Sequence, residues 1–201
     1  MTTPQAQSES NSNESNSTAT EAIDLIVLHV GCGPKGGTGL HETFRGEEWQ
    51  EVRLDIDPAA RPDIVSSITD MSGVRDGSVD AIWSSHNIEH LWPHEVPLAL
   101  AEFRRVLRPG GFLLITLPNI KKVAELIVED KLEEPAYVSP AGPICPIDIL
   151  YGFRPSLEQG NHFMAHKTGF TAKTLLGHLG AAGFADGKVW EEGFDLWALV
   201  S

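Results

Sequence analysis

Two periods of hydrophobic and polar residues alternate along this chain. Short apolar runs bounded by glycine, proline or acidic residues recur, and between them apolar positions fall every three to four residues. LIVLHV (Leu25–Val30) is rich in β-branched residues and runs into GCGPKGG, a pattern that suits a strand buried on both faces. EVRLDID (residues 51–57), PDIV (62–65), VDAIWSS (Val79–Ser85) and GFLLITL (111–117) read as further strands. Val96, Leu100, Phe103 and Leu107 form one helical stripe, with Pro97 in the first turn and Pro109-Gly110-Gly111 as the stop. Thr171 caps a second helix through Ala182, with Leu175, Leu176 and Leu179 inward and Gly183 closing it. KVWEE (188–192) and FDLWALV (194–200) lie too close together for a helical crossover and should pair antiparallel.

Strands alternating with helices predict an α/β fold with a mostly parallel sheet. Ligands of such sheets sit beyond the carboxyl ends of the strands, which directs attention to residues 31–37, 55–58, 84–90 and 118–119. Residues 119–170 break the alternation. Val123–Val128 is helical in period, and beyond it come five prolines with Tyr137, Tyr151 and Phe153. A stretch of this length and aromatic content is expected to be an ordered cover over the substrate. Residues 1–20 are rich in Ser, Thr, Asn and Gln without aromatics, and a disordered tail is expected there. Residues 21–201 are then a single domain.

Composition narrows the partners. Fifteen basic against 28 acidic residues leave a net charge of −13, and no Lys/Arg cluster exceeds a pair. A phosphate-tracking surface needs concentrated positive charge, so neither nucleic acid nor an anionic membrane is expected as partner. Two cysteines, Cys32 and Cys145, make no disulfide framework. With no basic-apolar leader and no apolar run long enough to span a bilayer, a cytoplasmic location is expected.

Gly31-Cys32-Gly33-Pro34-Lys35-Gly36 satisfies G-x-G-x-x-G directly after a strand, and Asp55 closes the next strand. Glycines let the backbone approach a ligand without Cβ interference. A carboxylate at the second position can accept two hydrogen bonds from a ribose diol. The pair points to a nucleoside cofactor and leaves open a nicotinamide or a sulfonium one.

LHVGCGPKGG, LDIDP, SSHNIEHL and EFRRVLRPGGFLLITLPN, in this order and spacing, resemble successive motifs of class I S-adenosylmethionine-dependent methyltransferases. The similarity spans roughly residues 25–200 and is closest to a small bacterial branch with an NIEHL-type end to the fourth strand. It implies a Rossmann-like three-layer α/β sandwich with a seven-stranded, mostly parallel sheet whose last strand is antiparallel. It also implies S-adenosylmethionine as cofactor. Gly31, Cys32 and Gly33 would face the cofactor, Asp55 would hold the ribose, and Ile56 would pack on adenine. Ser67 and Ile68 fall on the adenine edge, and Ser85 and His86 lie beside the transferable methyl. Two positions depart from the family pattern: His29 and Ser67 stand where acidic residues are usual, and Asp70 is the nearest substitute for the second.

His86-Asn87-Ile88-Glu89-His90 also matches H-x-x-E-H, a zinc-protease signature, and His162 and His166 form a second i, i+4 pair. That signature needs a continuous helix, whereas a strand precedes it here and Pro93 follows, so no metal is assigned. His86, Glu89 and His90 stand as catalytic candidates, with His86 a base for a hydroxyl nucleophile. Tyr151, His162 and His166 are substrate candidates in the cover. The primary expectation is methyl transfer to a small molecule, with oxygen favoured as acceptor. A nicotinamide-dependent oxidoreductase and a non-catalytic binding module are the alternatives.

Overall fold

The computed structural model describes residues 1, 25–36 and 39–201. The tail expected over residues 1–20 and the proposed domain start at 21 lie outside these, Met1 apart.

The apolar runs form strands β1 (Leu25–Val30), β2 (Trp49–Asp55), β3 (Ile64–Val65), β4 (Val79–Ser85) and, after helix α1 (Val96–Val106), β5 (Leu107–Pro118). Helix α2 (Ile120–Val128) leads to a hairpin of β6 (Tyr137–Ser139) and β7 (Gly142–Ile144), then to short helices α3 (Pro146–Tyr151) and α4 (Arg154–Glu158). Helix α5 (Ala172–Ala181) precedes β8 (Gly187–Glu192) and β9 (Asp195–Val200). The main sheet has seven strands in the order β3-β2-β1-β4-β5-β9-β8. Its strands are parallel except where β9 meets β5 and β8.

Alternate residues feed two cores. Leu28, Val30, Leu54, Ile82, Leu113 and Ile115 pack on one face with Leu100, Phe103 and Leu175 of the adjacent helices α1 and α5. The other face is aromatic: Val27, Ala81, Trp83 and Leu114 pack with Phe44, Trp49, Phe112, Trp190 and Trp197. Trp83 stacks on Trp197 at 5.9 Å, and Trp197 on Trp190 at 6.0 Å, ring centroid to centroid.

Two expected side-chain directions are corrected. Leu107 leaves the helix and starts β5, pairing with Val79, because the ladder to β4 takes over before Pro109 is reached. Leu176 is 57% exposed, since the buried stripe of α5 is one residue wide, at Leu175 and Leu179. No helix among the described residues is long and apolar enough to cross a membrane.

Candidate active site

β1 and β4 lie side by side at the centre of the sheet, and their carboxyl ends deliver both halves of one cleft. A cavity of about 630 Å³ opens there, lined among others by Gly31, Gly33, Asp55, Ile56, Ser67, Ile68, Ser85, His86 and His90. That volume falls within the roughly 300–1,000 Å³ of small-molecule sites.

The first half is built from backbone. Gly31 turns the chain at φ +62°, and a Cβ there would sit 2.6 Å from the Asn87 side chain. Glycine is required both for that backbone region and for the approach of the loop after β4. The amide of Gly33 donates to Asp55 Oδ2 at 2.7 Å, and the amide of Asp57 donates to Asp55 Oδ1 at 2.9 Å. Each oxygen keeps a further lone pair. Arg53, buried below, donates to the carbonyls of Gly33 and of Arg61, the latter at 3.0 Å. It therefore ties the glycine loop to the turn after β2, a role that a strand arginine does not advertise in sequence.

Ile56 is 48% exposed at the rim, and Ile68 is buried in the cleft wall. The Ser67 hydroxyl bonds Thr69 Oγ1 at 2.7 Å. Asp70 is exposed, accepts from the amide of Ser72, and stands outside the cleft lining. Cys32 is buried beneath the loop, and burial pushes its thiol up to about 11 despite the nearby Arg53, so it remains a neutral thiol. At His29, where the resembled family carries an acid, Nδ1 meets Glu51 Oε1 at 2.7 Å, while burial lowers the ring below its ordinary pKa.

The second half gathers titratable side chains. His86 follows β4 at φ +46°, its amide donating to the Thr116 carbonyl at 2.9 Å. Its ring lies between two carboxylates, with Nδ1 3.5 Å from Glu89 Oε1 and Nε2 3.7 Å from Asp195 Oδ1. Burial works against the charged ring, but these two carboxylates outweigh it and raise His86 to about 10. At neutral pH His86 is therefore an imidazolium and a donor, in contrast to the neutral base expected from sequence. Residues Ile88–His90 form a single 3-10 turn, so the H-x-x-E-H stretch has no continuous helix. Glu89 is 1% exposed, and neither carboxylate oxygen has a hydrogen bond among the described residues. Burial alone would raise its pKa; the contact with His86 and the charge of that ring hold it below the ordinary value.

Of the cover residues named from sequence, only His166 joins this group, its ring 4.9 Å from that of His90. Tyr151 is 63% exposed and His162 is exposed, and neither lines the cleft. Asn161, Phe163, Met164 and Lys167 line it instead. They surround the histidine pair in sequence, but only the fold shows which sides turn inward. Arg154 is taken up by Asp148 at 2.7 Å, and the Lys167 ammonium lies 5.7 Å from the Trp92 ring centroid.

The family described as "Methyltransferase domain" matches residues 28–115, from β1 into β5. The "Probable S-adenosylmethionine-dependent methyltransferase" of Mycolicibacterium smegmatis is 33% identical over 102 residues, which are 46% of this chain and 38% of that protein. The chain thus spans well under half the length of the curated relative it matches. Among solved structures, an S-adenosylmethionine-dependent methyltransferase from Archaeoglobus fulgidus superposes with a TM-score of 0.56 at 17% identity, covering 89% of this chain and 87% of that one. One from Methanosarcina mazei gives 0.57 at 19%, covering 89% and 91%. At such identities the two likenesses speak for the fold.

Proposed function

We propose that this chain is a class I S-adenosylmethionine-dependent methyltransferase and that it transfers a methyl group from S-adenosylmethionine to an oxygen of a small molecule held at the histidine half of the cleft. The observation that carries the reading is Asp55. Its two oxygens are fixed by the amides of Gly33 and Asp57, which leaves one lone pair on each for a ribose diol. The glycine loop beside it presents backbone without side chains, and Ile56 and Ile68 offer apolar surface for a purine. The residues present fit the cofactor.

Bound S-adenosylmethionine supplies an activated sulfonium methyl, so alignment is the main task left to the protein. Ser85 ends β4 and His86 follows it, both lining the cleft beside the glycine loop. The His86 imidazolium, held between Glu89 and Asp195, places a positive charge at the acceptor side and favours an oxygen acceptor there. Phe163 and Met164 close the cleft with apolar surface, and that suits a metabolite rather than a polymer.

Calorimetric titration of the full chain with S-adenosylmethionine and with S-adenosylhomocysteine tests the cofactor reading. Binding of both is expected, weakened about 100-fold in Asp55→Ala, as the loss of hydrogen bonds to a charged acceptor entails. A melting-temperature rise with NAD and none with either sulfur ligand would overturn it. With the cofactor established, product analysis on hydroxylated and amino-bearing metabolites separates oxygen from nitrogen transfer.

A further inference from the structure

We propose that Glu89, His90 and His166 form a binding site for a divalent transition metal of the zinc class. One ligand atom from each of the three lies within 4.8 Å of the others, in a group drawn from the turn after β4 and from the cover segment. Two nitrogens and one carboxylate are a donor set that zinc, cobalt, nickel and iron accept.

Three features distinguish this group from a chance gathering of polar side chains. The first is the tautomer. His90 Nδ1 is 3.2 Å from the Ala165 carbonyl and His166 Nδ1 is 2.7 Å from the Ile149 carbonyl, so each ring donates there. Nε2 is left on both rings as a free lone pair, the arrangement that metal-ligating histidines adopt. The second is Glu89. Its carboxylate is buried without a hydrogen bond among the described residues, and the His86 contact, at 3.5 Å, is a long one. A buried carboxylate lacking partners is costly, and a cation removes that cost. The third is the backbone. The Glu89 carbonyl accepts from the amides of Lys167 at 2.8 Å and of Thr168 at 3.2 Å. The cover is thereby fastened to the turn, and His166 is held beside residues far from it in sequence.

Three protein ligands leave a coordination position for an exogenous oxygen. His90 lines the cleft, so that position is reachable from the acceptor side. A cation there would bind the acceptor through its hydroxyl, carboxylate or carbonyl oxygen and lower the pKa of a bound hydroxyl. This consequence for the acceptor rests on the methyl-transfer reading; the metal site itself does not.

The full chain, stripped with a chelator, is titrated with Zn²⁺ against a chromophoric competitor and with Co²⁺ by visible absorption. One equivalent per chain is expected, with the intense cobalt bands of a four- or five-coordinate site. Affinity should fall by at least about 100-fold in His166→Ala and in Glu89→Gln, since loss of a ligand exceeds the roughly 10–100-fold cost of losing a group that only orients one. Exposed His94, on the same loop, serves as control: His94→Ala should bind as the parent does. Circular dichroism verifies that each variant is folded, and His90→Ala replaces any that is not. No stoichiometric binding, or binding unchanged in His166→Ala and in Glu89→Gln, overturns the site. S-adenosylhomocysteine is titrated into the same samples, so failure of the cofactor reading is seen separately from failure of the metal reading.

Discussion

The two ends of the cleft hold buried charge in opposite ways. At the glycine end, Asp55 accepts an amide on each oxygen, and Arg53 donates to two carbonyls that tie the loop in place. At the histidine end, Glu89 is as deeply buried yet makes no hydrogen bond among the described residues, and its charge is met only by the imidazoles around it. Backbone geometry completes the first end before anything binds. The second keeps its polar capacity open. Pre-organisation is thus concentrated at the glycine end.

The sharpest way to break this contrast is at Gly31, where the two ends touch. Gly31→Ala places a Cβ 2.6 Å from Asn87 in a left-handed backbone region. Strain of this kind costs about 1–3 kcal/mol, and displacement of the loop adds to it. A fall of that size in urea unfolding is expected, together with loss of S-adenosylhomocysteine binding. A smaller effect comes from Arg53→Lys, which keeps the charge but loses the fork that spans Gly33 and Arg61. It should cost about 1–2 kcal/mol in stability and weaken cofactor binding severalfold. Co²⁺ binding should stay unchanged, and if it falls as well, the two ends are one cooperative unit.

The smallest effect tests the strand that carries the glycine loop. Burial holds His29 below its ordinary pKa, so the folded chain favours the neutral ring. Its contribution to stability is complete above the unfolded value of about 6.5 and is lost as pH falls from there toward the lower folded value. The melting temperature should therefore drop less between neutral and mildly acidic pH in His29→Gln than in the parent.

How much of this was legible in the sequence follows from how local each feature is. β1 and β4 match their apolar runs residue for residue, because a parallel strand buried on both faces has no polar alternation to blur its ends. β2 begins two residues earlier than expected, at Trp49, whose ring serves the aromatic face. The hairpin Tyr137–Ser139 with Gly142–Ile144 escaped notice, since three-residue, largely exposed strands carry no hydrophobic period. Gly31, Gly33 and Asp55 are legible because a turn and a strand end are short-range features. Arg53 is not, because a buried arginine looks like a surface one until its carbonyl partners are known. The histidines were visible as residue types in two i, i+4 pairs, but the meeting of His90 with His166 comes from the fold bringing the cover onto the turn.

The tryptophans divide this protein optically. Trp83, Trp197 and Trp190 form a continuous stack on the aromatic face, close enough for their excited states to couple and to give a near-ultraviolet dichroic signal of native packing. Trp92 is 52% exposed, with the ammonium of a cleft-lining lysine over its ring. Its emission is open to solvent quenchers that the enclosed Trp83 escapes. One unlabelled sample can therefore report global unfolding through the stack and occupancy of the cleft through the single ring at its edge.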